Sequence, residues 1–288
     1  PVLFRSWVAK ITRWRTLMAL SMFMMASALL LLSCLHPNLV RTHLLCCNQA
    51  TLMSGSRHFL GIRDYEYARE NGNIRYKHTK RYLPHCIIVG VRKAGTRALI
   101  EFLNLHPSIQ AHKREMHFFD DDDNYSLGLE WYRKRMPFSF SDQLTIEKTP
   151  AYFIGEKVPE RIYNMNKTIK LLLVVRDPTE RAISDYTQIH SNRLERNKFH
   201  DRFEDLVLDP DTGDVRRSYN AIRRSLYPRH MERWLRWFPL EQFHIVSGEN
   251  LVLRPWEELA KVEDFLGIDH KLKRSNFFYN ETRGFYCV

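Results

Sequence analysis

Apolar and polar positions along the chain fall into three regimes. From Thr16 to Leu35, TLMALSMFMMASALLLLSCL, twenty residues run without a charge. At about 1.5 Å per residue a helix of that length spans roughly 30 Å, the thickness of a bilayer's hydrocarbon core. Residues 36–83 are rich in His, Arg, Asn and Tyr, lack a clear period, and read as a stem. From Pro84 onward short apolar runs alternate with helical spacing. His85–Val91 (HCIIVGV) is too short for a helix and predicts a buried parallel strand, with a helix after it over Thr96–Leu105. Leu144–Glu147 predicts a second strand and Thr168–Val175 a third, while IQAHKRE, ending at Glu115, has strand character. Asp177 as N-cap with Pro178 behind it starts a helix to about Asn192. Gln242–Val246 predicts a further strand and Pro255–Leu266 a helix. Such alternation predicts an α/β fold, a three-layer domain around a mainly parallel central sheet.

Charge sharpens this division. The 288 residues carry 44 Lys+Arg against 33 Asp+Glu, yet residues 1–83 alone hold 12 against 3. The remainder is almost neutral, which argues against a globally basic nucleic-acid binder. Arg5, Lys10, Arg13 and Arg15 precede the apolar stretch, and only Arg41 follows within twenty residues. The positive-inside rule then makes residues 1–15 a cytosolic tail, 16–35 a signal-anchor, 36–83 a stem and 84–288 a lumenal domain. A cleaved signal peptide is the alternative, although its apolar core is usually about 7–15 residues long. Three sequons, at Asn124, Asn166 and Asn280, suit a lumenal body. Five scattered cysteines do not make a disulfide scaffold.

The candidate chemistry lies where strands end. The first strand runs into Gly90-Val91-Arg92-Lys93-Ala94-Gly95-Thr96 and then a helix. Such a turn presents amides, a helix N-terminus and one lysine to an anion. It is P-loop-like but departs from G-x-x-x-x-G-K-[ST], because the lysine lies two places before the second glycine. A plain strand–helix turn is the alternative. The third strand ends at Arg176, placed to hold a second phosphate, with Ser184 two turns into the next helix. A magnesium-dependent kinase would carry a carboxylate after that strand; Asp177 instead reads as an N-cap.

The stretches IIVGVRKAGTRALIEFLNLHPSI, EMHFFD, GLEWYRKRMPF, TIEKTPAYF, VPERIYNMN, LLLVVRDPTERAISDYTQ and GFYC resemble the sulfotransferases that use 3′-phosphoadenylyl sulfate (PAPS). Within these they are similar to the heparan sulfate glucosamine 3-O-sulfotransferases, in register from about Pro84 to Val288. The resemblance implies a P-loop-like sulfotransferase fold behind a single Golgi membrane anchor, with PAPS as cosubstrate and heparan sulfate as acceptor. It implies no metal, nucleic acid or protein partner. By position, Lys93, Ala94, Gly95, Thr96 and Arg97 form the 5′-phosphosulfate loop, Arg176 and Ser184 hold the 3′-phosphate, and Tyr286 lies near the cosubstrate. Glu115 matches the catalytic base, with Lys93 and His117 also in the catalytic set. Arg97, His117, Asp120, Lys148 and Gln188 line the sugar cleft. Members of that family continue after GFYC with a second cysteine that pairs with the first and a basic loop; this chain ends at Val288 and is expected to be truncated at both ends.

These residue types suit the transfer. A carboxylate takes the proton of the attacking hydroxyl, and a lysine with loop amides stabilises the leaving phosphate. Asp121–Asp123 reads as a solvated loop, and the aromatics of NFFYN and GFYC read as core, Tyr286 excepted. Lys113-Arg114, Arg133–Arg135, Arg216-Arg217, Arg223-Arg224 and Lys271–Arg274 are candidate grips for a sulfated chain. Two rival readings stay open: a lumenal P-loop kinase, and a catalytically dead heparan-binding membrane protein.

Overall fold

Five apolar runs become the strands of one sheet: β1 (Cys86–Gly90), β2 (Ile109–His112), β3 (Leu144–Lys148), β4 (Lys170–Val175) and β5 (Phe243–Ser247). Their order is β2-β3-β1-β4-β5 and every pairing is parallel. In this computed structural model the described residues are 67–70 and 73–288, with burial described from Tyr76 onward. The expected tail, signal-anchor and most of the stem lie outside them. Among the described residues no helix is long and apolar enough to cross a membrane.

β1 is buried at all five positions, so the centre of the sheet is covered on both faces, which is why its sequence is uninterrupted Cys-Ile-Ile-Val. Five helices matter for the site: α1 (Thr96–Leu103), α2 (Gly128–Arg133), α3 (Pro178–Leu194), α4 (Gly248–Leu253) and α5 (Pro255–Leu266). α1 buries Leu99, Ile100, Phe102 and Leu103 at helical spacing and exposes Arg97 on its other side. α3 begins as its sequence predicts, with the Asp177 carboxylate accepting the amides of Thr179 and Glu180 at 2.9 Å. The core is strongly aromatic below the β2 and β3 ends, where Phe118 stacks on Tyr132 with ring centres 4.5 Å apart.

Some expectations are corrected here. Lys80–Arg81, expected in the stem, is a strand paired with Phe138–Ser139. Asp121 and Asp122 are not merely solvated: Asp121 caps a short helix through the Asn124 amide, and Asp122 binds Lys157 and Arg161. Of the NFFYN aromatics only Phe277 is buried, because Phe278 and Tyr279 lie on an exposed hairpin with Phe285–Cys287. A two-stranded hairpin has one face without partners, so half of its side chains meet solvent.

Candidate active site

A parallel sheet delivers its binding residues at the carboxyl ends of its strands. Here those ends carry Val91–Gly95 after β1, Lys113–His117 after β2, Lys148 on β3, Arg176 after β4 and Gly248 after β5. The order of strands places β1, the carrier of the anion loop, directly beside β3 and β4.

The loop after β1 is tight. Lys93 takes φ +72° and Gly95 φ +115°, the second a conformation that favours glycine. Ala94, expected in the binding set, turns its amide to the Val91 carbonyl at 3.1 Å. The amides of Lys93, Gly95, Thr96 and Arg97 meet no acceptor among the described residues, as expected of a helix's first turn. Gly248 packs against the back of the loop. A Cβ there would lie 2.4 Å from the Ala94 carbonyl oxygen and 2.9 Å from that of Val175.

The charges around the loop are held by α3. Asp185, fully buried, accepts Arg92 Nε (2.9 Å), Arg181 Nη1 (3.1 Å) and Arg224 Nη1 (3.0 Å). Burial pushes its carboxyl up, but these arginines outweigh that and hold it below the usual carboxylate range. Arg181 also donates to the Arg92 carbonyl, tying the loop's backbone to the helix. Lys93 Nζ donates to Gln188 Oε1 at 3.0 Å, so a loop residue and an expected sugar-cleft residue meet. Burial, and then the fields of Arg92, Arg176 and Arg181, lower the lysine's pKa, while Asp185 pulls it back. Three arginine charges and one aspartate bear on this lysine, so the loop's surroundings carry a net positive field. Free amides and positive field together fit a phosphate-bearing nucleotide. Arg176 stands half-buried beside Glu180 (3.5 Å), while Ser184, one α3 position before Asp185, is half-buried. Tyr286 is farther along the chain, on the C-terminal hairpin, with Arg274 stacked on both it and Trp256.

The second half of the site is built on β2 and β3. Glu115 lies three residues past the end of β2, in a loop rather than at a strand end. Lys148 Nζ donates to Glu115 Oε1 at 2.6 Å, and His117 Nε2 lies 3.5 Å from Oε2. His117 Nδ1 meets Asp120 Oδ2 at 2.9 Å, completing a chain Lys148–Glu115–His117–Asp120. Lys148, expected to hold acceptor anions, is engaged with the carboxylate and its side chain is only 6% exposed. A carboxylate so flanked is fixed in orientation yet 41% exposed, the arrangement of a group that takes a proton from something outside. Among the described residues no group of three His, Cys, Asp or Glu is arranged to hold a metal ion.

The basic groups are less available than their sequence suggests. Arg133 is paired with Glu130, Lys113 with Glu101 and Arg224 with Asp185. Sequence reasoning missed Glu147, Arg181 and Asp185. Their signal was present: a charged residue inside an otherwise buried strand, and an i, i+4 Arg/Asp pair on the helix that faces the loop.

Residues 83–288 match the sulfotransferase domain family. The chain is 51% identical over 244 residues to heparan sulfate glucosamine 3-O-sulfotransferase 5 of Mus musculus, covering 84% of this chain and 70% of that one. To the Homo sapiens counterpart it is 52% identical over 227 residues, covering 78% and 66%. Isoform 3B1 of Mus musculus is 48% identical over 207 residues, and there the chain spans about half of the relative, 52%. Among solved structures, a sulfotransferase from Alicyclobacillus acidocaldarius superposes with TM-score 0.56 at 19% identity, over 70% of this chain and 88% of that one, a likeness of fold. The chain belongs to the sulfotransferase family, among the heparan sulfate glucosamine 3-O-sulfotransferases.

Proposed function

We propose that this chain transfers the sulfuryl group of PAPS to the 3-hydroxyl of glucosamine residues in heparan sulfate. The observation that carries the reading is one sheet edge holding both halves of the chemistry: the anion loop around Lys93 after β1, and the Lys148–Glu115–His117–Asp120 chain beside it. The relatives' names support the same reaction.

In this reaction Glu115 takes the proton of the 3-hydroxyl, whose oxygen forms a bond to sulfur as the bond from sulfur to the 5′-phosphate breaks. Lys93 and the free loop amides neutralise the charge growing on that phosphate. Arg176 and Ser184 bind the 3′-phosphate, which selects PAPS over a nucleotide without one. Lys148 and His117 keep Glu115 aimed, and Asp120 orients His117. Arg97 and Gln188 face the acceptor. Residues 16–35 anchor the protein in the Golgi membrane with the catalytic domain in the lumen, a reading supported by the uncharged twenty-residue run and its flanking charges.

The test is incubation of the full chain with labelled PAPS and heparan sulfate, with chelator present. Label in the polysaccharide at the glucosamine 3-position is expected. Binding of polysaccharide without transfer would establish the catalytically dead alternative, and ATP turnover the kinase. In a secretory host, carbonate washing should leave the protein in the membrane fraction; a soluble product would exclude the anchor.

A further inference from the structure

Glu147 is fully buried at the penultimate position of β3, one residue before Lys148. Strand alternation sends the two side chains to opposite faces. Lys148 reaches Glu115, whereas Glu147 enters the aromatic core. Its Oε1 accepts the Tyr132 hydroxyl from α2 (2.9 Å) and its Oε2 accepts the Thr149 hydroxyl (3.0 Å). The Tyr152 hydroxyl lies in the same buried pocket, within electrostatic reach of the carboxyl.

Two of these hydroxyls do a second job. Thr149 Oγ1 accepts the Met116 amide (2.9 Å), and the Tyr152 hydroxyl accepts the Phe118 amide (3.0 Å). A hydroxyl has one proton and two lone pairs. With the Thr149 proton committed to Glu147, its lone pairs are turned toward the loop. Between the two amides sits His117, at φ +47°, a left-handed conformation uncommon for a residue with a side chain. Such a conformation persists only where its surroundings over-determine it. A buried carboxylate is otherwise expensive, and an apolar residue of like volume would pack there at less cost.

We propose that Glu147 is a positioning residue for sulfuryl transfer, orienting Thr149 so that, together with Tyr152, it clamps the backbone on both sides of His117 and thereby aims His117 and Glu115 at the acceptor. This rests on the sulfuryl-transfer reading above. The ionisable groups around it are Lys148 on its own strand, Tyr132 on α2, Tyr152 in the following turn and His112 at the paired position of β2; its β1 neighbour is the apolar Ile87. Burial raises the Glu147 carboxyl to about 7, against the opposing effect of the three hydroxyls and Lys148. Once protonated, the carboxyl is itself a donor, and one hydroxyl must turn its proton away. The clamp then loosens as pH falls below that value.

The experiment compares the full chain with Glu147→Gln and Thr149→Val, using labelled PAPS with heparan sulfate and, separately, amide hydrogen exchange without substrates. In Glu147→Gln, kcat should fall about 10-fold or more with both KM values nearly unchanged, since geometry and not binding is lost. The parent's fall in kcat below about pH 7 should be absent from the variant. The Met116–Phe118 amides should exchange about 10-fold faster. Thr149→Val leaves the carboxyl in place and should lower kcat while speeding exchange at Met116; it decides the matter alone if Glu147→Gln does not fold. Parent-like kcat and exchange, or a rise in KM alone, would overturn the proposal. A parent that transfers no sulfate would refute the activity, and the exchange data would then judge the clamp by itself.

Discussion

Glu115 has its two oxygens engaged by different partners, Lys148 on one side and His117 on the other. Replacement by Gln keeps the size and both contacts in outline but removes the basicity. A loss of about 10²–10⁴ in kcat is expected, with affinities for PAPS and heparan sulfate nearly constant. A variant retaining more than about a tenth of the parent rate would transfer the role of base elsewhere, first to His117. Lys148→Ala should lower kcat as well as acceptor affinity, because it releases one oxygen of the carboxylate; a change confined to KM would mean that Lys148 serves the acceptor alone. Glu147 supplies a stability test with a definite sign. Its folded-state pKa of about 7 lies above the ordinary 4.5, so the folded protein binds the extra proton between those values. Its contribution to stability therefore falls as pH rises from 4.5 to about 7. The stability difference between parent and Glu147→Gln, followed by denaturant unfolding across that range, should shift against the parent with rising pH.

At the scale of elements, Gly248 shows how closely the layers meet. A methyl group added there would strike the Ala94 and Val175 carbonyls, both backbone and neither able to swing aside. Gly248→Ala should push α4 away from the anion loop, destabilising the fold by roughly 1–3 kcal/mol. It should also weaken binding of 3′-phosphoadenosine 5′-phosphate, measured by calorimetry. An unchanged affinity would separate α4 from the loop. Four of the five sheet strands were legible as short apolar runs, and β2 as a segment of strand character, because parallel strands buried on both faces need continuous hydrophobicity. The α3 start was legible from its cap and proline. Lys80–Arg81 was not, because a two-residue edge pairing leaves no period. For the site, sequence reasoning named the residues at the strand ends but not their company. It gave Lys148 to the acceptor, and the fold also brings Glu115 to it from a loop thirty-three residues earlier. Long-range pairings of that kind carry no local signature; for Glu147 the charge inside a buried strand was visible in the sequence, but its partners were not.

For the molecule as a whole, charge and modification can be followed together. On the proposed reading, the described basic groups that remain exposed would hold a polyanion through screened contacts, so polysaccharide affinity should fall steeply with added salt while affinity of the half-buried anion loop for its nucleotide falls less. Asn124 spends its side-chain amide nitrogen on the His117 carbonyl at 3.0 Å, the nitrogen a glycan would occupy. Asn166 instead uses only its oxygen, accepting from Thr168. In a secretory host, mass spectrometry of peptides should find the glycan at Asn166 and a bare Asn124. Occupancy at Asn124 would mean that the loop around His117 tolerates losing this contact.

The hydrogen bond between Lys93 and Gln188 has a kinetic consequence. In the proposed reaction Lys93 serves the nucleotide and Gln188 the sugar, so on that reading neither is fully available while they hold each other. Arrival of the phosphosulfate draws Lys93 away and releases Gln188 for the polysaccharide. The two substrates should therefore enter in sequence, nucleotide first. Product-inhibition patterns would read this directly, with 3′-phosphoadenosine 5′-phosphate competing only against PAPS. In Gln188→Ala the partnership is gone, and the order of entry should become random.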